Sequence, residues 1–302
     1  MINPVKNRID RVSKADAPMS NDVGTLYVVA TPIGNLEDMT YRAVRVLSEV
    51  ELIAAEDTRV SRKLLHHYGI STRLTACHEH NERNKTRNLL RFLQQGKSIA
   101  LISDAGTPLV SDPGYKLVHA AIENGIRVIP VPGACAAIAA LSAAGLPTDS
   151  FSFEGFAPAK QGARTKFYEE RKHETRTLIF YEVPHRIVVS IDDMTAIFGP
   201  TREAAIAREL TKKFETIRYG TLGGLCEDVV WQDPKHLRGE FVVVVEGSRA
   251  NRVPDTLDRE AQRIVRILLR QLATKQAAAL AAEITGVRKQ QLYRFALSAK
   301  DT

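Results

Sequence analysis

The run Leu101-Ile-Ser-Asp-Ala-Gly-Thr-Pro-Leu-Val-Ser-Asp-Pro-Gly114 concentrates more chemistry than any other part of the chain. It begins as an apolar strand and turns into a loop carrying Asp104, Ala105, Gly106, Thr107, Ser111, Asp112 and Gly114. Two carboxylates, two hydroxyls and open backbone N–H groups in one short loop suit a small ligand that bears both an amine and a carboxylate. The plainer alternative is a well-capped turn. Ser111 or Asp112 is expected to N-cap the next helix, with Pro113 at its first position.

Other polar clusters follow the same plan. Apolar runs at 26–30, 51–55, near Leu74, at 98–102 and at 126–131 are each followed by polar or turn residues. These are Thr31–Asn35, Glu56–Arg59, 78–81, 103–106 and Pro132–Ala134. Helical periodicity fills the intervals at 41–48, 58–68, 84–95 and 115–124, the last three closed by Gly69, Gly96 and Gly125. Strands alternating with helices of this length imply a parallel sheet with right-handed crossovers. Ligands of such sheets sit at the carboxyl ends of the strands, where all these clusters converge.

The pattern changes after Pro132-Gly133. A small-residue helix at 134–144 is followed by strands at 151–156, 177–182, 203–208, 215–219 and 240–246, with helices at 164–172 and 187–198. The expected organisation is a flexible tail at 1–22, a parallel α/β domain at 23–133, a mixed α/β domain at 134–248 and a helical module at 249–302. A polar linker at 249–255 opens that module. Helices at 257–272, 275–284 (capped by Thr274) and 288–297 read as a helix-turn-helix unit around Ala281, Ile284, Val287, Leu292 and Ala296. Its last helix would present Arg288, Lys289, Gln290 and Arg294.

Charge singles out the same module. Residues 249–302 hold 11 Lys and Arg against 5 Asp and Glu, a net +6 of the chain's +7. A basic module on a nearly neutral body points to an anionic macromolecule, phosphates of a nucleic acid being the natural contact. A solvated helical cap on its own body or on a second subunit is the competing reading.

Composition bounds the rest. With 302 residues, 44% hydrophobic and 25% charged, the chain can bury substantial cores. No apolar run reaches the roughly 18 residues of a membrane span, and the start lacks a signal-peptide apolar region. Cys77, Cys135 and Cys226 lie far apart without C-x-x-C spacing, which fits a reducing cytoplasm. Neither G-x-G-x-x-G nor a P-loop is present, nor G-x-S-x-G. His66-His67 and His78-x-His80 lack further ligands at metal spacing, so no metal is expected.

Several motifs occur in a telling order. They are Thr31-Pro-Ile-Gly-Asn-Leu, Ala55-Glu-Asp-Thr-Arg, Ser103-Asp-Ala-Gly-Thr-Pro-Leu-Val-Ser-Asp-Pro-Gly, Val131-Pro-Gly-Ala, Phe153-Glu-Gly-Phe, Tyr181-Glu-Val-Pro-His-Arg, Ala207-Arg-Glu-Leu-Thr-Lys-Lys-Phe-Glu-Thr and Gly239-Glu-Phe-Val. Over residues 24–300 the chain resembles the S-adenosylmethionine-dependent methyltransferases of the tetrapyrrole-methylase type. It most resembles the branch that 2′-O-methylates the ribose of cytidine 1402 in 16S (small-subunit) ribosomal RNA. The resemblance implies two α/β domains with a cleft between them, a small C-terminal all-helical module, a homodimer, S-adenosyl-L-methionine as cofactor and 16S rRNA within the small ribosomal subunit as partner. It implies that Asp104, Ala105, Gly106, Thr107, Ser111, Asp112 and Gly114 hold the methionine end, with Gly133 and Ala134 approaching it. Phe156, Tyr181, Glu182, Val183, Pro184, Gly239, Glu240 and Phe241 would border the adenosine. Thr31 to Asn35, Glu56 to Arg59 and 207–215 would face the RNA and the reacting centre.

Methyl transfer from a sulfonium to a hydroxyl is an in-line displacement that needs positioning and no metal. A ribose hydroxyl is a poor acid, so a base or a nearby cation would help; Glu56, Asp57, Glu209 and Lys212 are the candidates. Thr31, Asn35, Arg59, Arg208, Lys213, Arg288, Lys289 and Arg294 are candidate RNA contacts, although each cation among them also suits an ordinary surface. A methylase acting on a porphyrin-like ring and a non-enzymatic nucleic-acid-binding protein are the rival functions.

Overall fold

The computed structural model describes residues 23–78, 82–227, 237–248 and 259–299. The tail at 1–22, the linker at 249–255 and His80 fall outside those residues. The chain forms two compact units. Unit 1 runs to Ala139 and also includes Glu209–Glu215; unit 2 comprises Ala140–Arg208 and the chain from Thr216 onward.

Unit 1 contains β1 (Thr25–Val29), α1 (Tyr41–Glu49), β2 (Leu52–Ala55), α2 (Thr58–His67), β3 (Leu74–Ala76), α3 (Glu82–Gln94), β4 (Ile99–Ile102), α4 (Tyr115–Glu123) and β5 (Arg127–Val131). Its sheet has the order β3-β2-β4-β1-β5, and every pairing is parallel. All five strands therefore end at one edge. β2 and β4 are buried on both faces, which explains their unbroken apolar runs, Leu-Ile-Ala-Ala and Ile-Ala-Leu-Ile. Side chains alternate between two cores. Val29, Ile53 and Ile102 pack with Val46 and Leu47 of α1 and Leu65 of α2. Leu26, Ala54 and Leu101 pack with Leu89 and Leu93 of α3 and Leu117 of α4. The neighbouring strands β1 and β4 thus send their following helices to opposite faces, and the loops after them diverge at a topological switch point, the usual place for a ligand in this architecture.

Helix α5 (Ala136–Ala143) leads toward unit 2. Unit 2 adds β6 (Phe151–Phe156), α6 (Gln161–Glu169), β7 (Thr177–Glu182), α7 (Ile187–Phe198), β8 (Glu203–Arg208), β9 (Thr216–Thr221), α8 (Leu222–Cys226) and β10 (Phe241–Val245). Its sheet runs β6-β7-β10-β8-β9, with only β6 and β7 parallel. One face is covered by α6, α7 and α8 through Tyr168, Ile191, Met194 and Leu225.

Three further helices, α9 (Arg259–Leu268), α10 (Thr274–Thr285) and α11 (Lys289–Ser298), have a core of their own. Ala281, Leu292 and Ala296 are buried in it, with Val287 partly buried. Ile284, expected inside, is 57% exposed. Thr274 is the first helical residue rather than the cap; Ala273 holds that position, with no side-chain bond.

Leu101 joins the sheet to the loop that follows it. It is 1% exposed, and a Cβ placed on Gly114 would stand 2.7 Å from its Cδ2. Leu101→Ala is expected to lower the unfolding free energy of unit 1 by about 3 kcal/mol, the usual cost of a cavity at a fully buried leucine. Urea denaturation followed by circular dichroism measures it.

Candidate active site

The carboxyl edge of the unit 1 sheet is tied together by backbone bonds. Thr31 N–H donates to the Gly106 carbonyl at 2.9 Å, and Gly106 N–H donates back to the Thr31 carbonyl at 3.0 Å. This bridge continues the β1–β4 neighbourhood beyond the strands. Asp57 N–H donates to Asp104 Oδ1 at 3.0 Å, joining the end of β2 to the loop after β4. The Thr107 hydroxyl donates to the Ala134 carbonyl at 3.0 Å, joining that loop to the segment after β5. The structure thus brings together the loops that begin at Thr31, Glu56, Ser103 and Pro132.

The β4 loop is held in an unusual conformation. Leu109 has φ 74° and Ser111 has φ 65°, both in the region disfavoured for residues with a Cβ. Gly114, with φ 121°, is the N-cap of α4 and makes no side-chain cap bond. The expected capping by Ser111 or Asp112, with Pro113 opening the helix, is therefore corrected. The chain turns through Ser111 and Gly114 before helical geometry begins at Tyr115, and Leu101 leaves no room for a Cβ at 114. Asp112 is consequently part of the loop and not a helix cap.

Carboxylates crowd this edge. The Asp112 carboxyl is half-buried and pushed up to about 6, first by burial and then by the charges of Glu56 and Asp104, while a Ser103 hydroxyl bond works the other way. Glu56 is also raised, by burial and then by the charge of Asp104. Asp104 itself is exposed. Groups that repel one another in this way form a place where a cationic ligand is favoured. The clustered carboxylates beside the exposed Ala105 fit a ligand with a positive centre.

Asp57 behaves differently. Its carboxylate caps α2 by accepting from Arg59 N–H at 2.8 Å. It also accepts from the Arg59 guanidinium, with Nη2 at 2.6 Å. These bonds hold it down at about 2. A carboxylate so stabilised is a poor proton acceptor, so Asp57 is removed from the candidate bases. The same fork occupies Arg59, whose side chain is nonetheless 85% exposed.

Thr31 is also reassigned. It is 1% exposed, and its hydroxyl donates to the carbonyls of Ser103 and Gly106 at 3.3 and 3.4 Å. It fastens two loops and cannot meet RNA with its side chain. Asn35 caps a short 3-10 turn at Leu36–Asp38 by accepting from Glu37 N–H at 3.1 Å.

The segment Glu209–Glu215 lies between β8 and β9 in the chain but belongs to unit 1. Lys212 Nζ is paired with Glu209 Oε1 at 2.8 Å. Its stem passes so close to Gly34 that any Cβ there would collide with it. Glu209 and Thr211 have φ 50° and 66°. Thr211 Oγ1 is buried without a hydrogen-bond partner among the described residues. Lys213 and Phe214 are exposed. Sequence reasoning placed Ser103, Gly34 and Thr211 within candidate segments without singling them out, because neither a close approach nor a positive φ at a non-glycine residue leaves a pattern along the chain.

In unit 2 the register sets the remaining candidates along one edge. Phe156 pairs with Tyr181 across β6 and β7, and Phe241 is opposite both Glu182 and Arg208. The rings of Phe156 and Tyr181 are 5.5 Å apart, and Phe156 is 48% exposed. Glu182 is turned inward at 2% exposure. It accepts from Val183 N–H at 2.8 Å, from Arg186 at 2.7 Å and from the Ser190 hydroxyl. Phe241 is buried in the core. The side chains of these two residues are thus committed to the fold, leaving their backbones. Val183, Pro184 and Gly239 are half-buried, and Glu240 is exposed. Arg208 is 9% exposed and donates to the Arg238 carbonyl at 2.7 Å. Arg288, Lys289 and Arg294 are all exposed on or beside α11.

Comparison with known proteins gives these features a context. Residues 25–226 match the family model of tetrapyrrole (corrin/porphyrin) methylases, and residues 255–300 match the RsmI C-terminal HTH domain. The chain is 57% identical over 274 residues to a ribosomal RNA small subunit methyltransferase I of Pseudomonas aeruginosa, covering 91% of this chain and 97% of that one. It is 52% identical over 277 residues to the protein of the same name from Escherichia coli O157:H7, covering 92% and 96%. Among solved structures, a uroporphyrin-III C-methyltransferase from Thermus thermophilus, complexed with S-adenosylhomocysteine, is similar in fold. Its TM-score is 0.50 at 19% identity, over 73% of this chain and 97% of that one.

The raised Asp112 carboxyl yields a signed prediction. Its value of about 6 exceeds the ordinary 3.8, so ionising it opposes folding. Its stabilising contribution is complete below about pH 3.8 and is lost as pH rises through 6. Asp112→Asn is expected to raise Tm at pH 7–8 by roughly 2–4 °C, the effect of about 1 kcal/mol left after solvent screening, and to leave Tm unchanged near pH 4. Thermal melts across that pH range provide the comparison.

Proposed function

The chain belongs to the tetrapyrrole methylase family and, within it, to the ribosomal RNA small subunit methyltransferases I. From that premise we propose that it moves a methyl group from S-adenosylmethionine to the ribose 2′-oxygen of cytidine 1402 in 16S ribosomal RNA. The observation that carries this reading is the set of mutually repelling carboxylates Glu56, Asp104 and Asp112 at the sheet edge. A ligand with an ammonium and a sulfonium relieves that repulsion, whereas an anionic one worsens it.

The residues divide the work. Asp104 and Asp112 face the cationic groups of the methionine end, with Ser103 keeping the Asp112 carboxyl oriented. Backbone N–H groups of Ala105 and Thr107 and the turn at Ser111 to Gly114 take its carboxylate, beside Gly133 and Ala134. In unit 2, Phe156 and Tyr181 offer aromatic faces suited to a purine, and the backbones of Glu182 to Pro184 and Gly239 to Phe241 supply polar contacts. When bound, the cofactor supplies an electrophilic methyl carbon. The protein's own contribution is to fix the hydroxyl in line with it, worth about 7–11 kcal/mol where alignment is good. Glu56, raised by its surroundings, is the better-matched base for the hydroxyl proton, and general-base help of this kind gives about 10²–10⁴-fold. Lys212, oriented by Glu209, brings a positive charge that stabilises the hydroxyl oxygen as its proton leaves and attracts the phosphate backbone. Arg59 and Lys213 are assigned to phosphate contact, whereas Arg208, buried and bonded to the Arg238 carbonyl, holds that backbone in place.

The C-terminal helices serve the RNA in this reading. Arg288, Lys289 and Arg294 stand out from a compact three-helix core and are positioned for phosphates. The enzyme is expected to act in the cytoplasm as a homodimer on the small ribosomal subunit, and no helix of the described residues is long and apolar enough to cross a membrane.

Transfer of labelled methyl groups to small subunits that lack this modification, with the product nucleoside identified by mass spectrometry, tests the assignment. Label on a cytidine 2′-oxygen is expected; label only on an added tetrapyrrole would replace this reading with its rival. Two changes should then separate the roles. Asp104→Ala should weaken cofactor binding by at least about 30-fold, the loss of a charged hydrogen-bonding partner, as read by calorimetry. Deleting 255–302 should weaken binding of the RNA substrate while cofactor affinity holds. Equal loss of both would make the helices a structural cap.

A further inference from the structure

We propose that Phe214 is a stacking platform for an unpaired nucleobase of the RNA substrate, presented by the stiff loop Glu209–Glu215; this rests on the RNA reading above. Phe214 is 64% exposed. Its loop is held by its own contacts. Lys212 N–H donates to the Glu209 carbonyl and Glu215 N–H to the Lys212 carbonyl, both at 3.0 Å. Thr211 N–H donates to Glu215 Oε2 at 2.6 Å. Glu209 and Thr211 keep positive φ values, a strained arrangement that persists only where its surroundings enforce it.

These contacts also sort the charges. Glu209 is paired with Lys212, and the Glu215 carboxylate is turned onto the loop's own backbone. Lys213 has no carboxylate partner among the described residues, and its Nζ lies 5.6 Å from the Phe214 ring centre. The loop therefore carries an exposed aromatic ring beside a lysine on a preformed backbone. A nucleotide has the matching chemistry, a planar base for the ring and a phosphate for the lysine. Sequence-specific RNA recognition works mainly on unpaired, splayed bases stacked on such rings. A base in this position would fix the strand next to the loop that also carries Lys212.

Steady-state methyl transfer to small ribosomal subunits lacking the modification, with wild type, Phe214→Ala, Phe214→Leu and Phe214→Tyr, decides the matter. Base–aromatic stacking is worth about 1–3 kcal/mol, so the Ala and Leu variants should raise KM for the subunit about 5- to 100-fold. Their kcat should stay within about threefold of wild type and their cofactor affinity should be unchanged. Tyr, which keeps a flat ring, should restore KM; Leu, which keeps only the apolar bulk, should not. A wild-type KM in both the Ala and Leu variants would overturn the proposal. So would a fall in oligomeric mass on sedimentation that accounts for the loss, since the ring would then be a contact between copies. If wild type itself transfers no methyl group to the subunits, the RNA reading fails and the stacking role falls with it; measuring wild type first keeps the two failures apart.

Discussion

The reciprocal pair of hydrogen bonds between Thr31 and Gly106 is the constraint on which the site depends. Parallel strands bring their polar ends to one edge, but an edge is only a row of loop origins. The loops after β1 and β4 leave toward helices on opposite faces of the sheet and would separate immediately. The bridge fixes them side by side for one more step, and the buried Thr31 hydroxyl adds a bond to each of two carbonyls. From that fixed point the β4 loop reaches Asp57 through Asp104 and Ala134 through Thr107. Remove the bridge and each of those contacts would have to be ordered separately, at the entropic cost of every loop residue concerned.

Electrostatics at this edge works against stability. Burial and the neighbouring Asp104 charge raise the proton affinity of Glu56 and of Asp112, and at Asp112 the Ser103 hydroxyl only partly compensates. Asp57, one residue beyond Glu56, shows what the chain does with a carboxylate that serves architecture: it caps a helix, grips Arg59 and is held at about 2. Two adjacent acids of similar chemistry thus end with opposite tendencies because one has hydrogen-bond donors and the other has burial and like charge. Titratable groups perturbed by burial and like charge, as Glu56 and Asp112 are, are a recognised mark of sites that bind or react.

Much of the fold was legible in the sequence. The strands of unit 1 announce themselves as short apolar runs ended by polar residues, and glycines close the helices α2, α3 and α4. The helical spacing of Ala281, Leu292 and Ala296 likewise marked part of the core of the last three helices. Polar residues were harder, because a sequence shows which groups exist and not where they point. Thr31 and Glu182 look like contact residues but are spent inside their units, Glu182 on Arg186 and Ser190. Phe241 fills core. The start of α4 was misplaced because Asp-Pro reads as a helix opening, whereas packing of Leu101 against Gly114 sets where the helix can begin. Ile284 has the spacing of a core residue and yet stands in solvent, since periodicity defines a face only to within a residue.

The loop Glu209–Glu215 links two neighbouring antiparallel strands of unit 2, yet it is counted with unit 1. Unit 1 is therefore not a continuous stretch of gene. Recombination that carried over only the segment ending at Ala139 would leave behind the residues that lie against Gly34. An insertion in the β8–β9 connection, ordinarily the most permissive kind of place for one, would be felt in the other unit. The two halves are obliged to be inherited and to change together, so a family built on this connection is expected to diversify at its ends, where whole modules can be added, sooner than by exchanging one half for another.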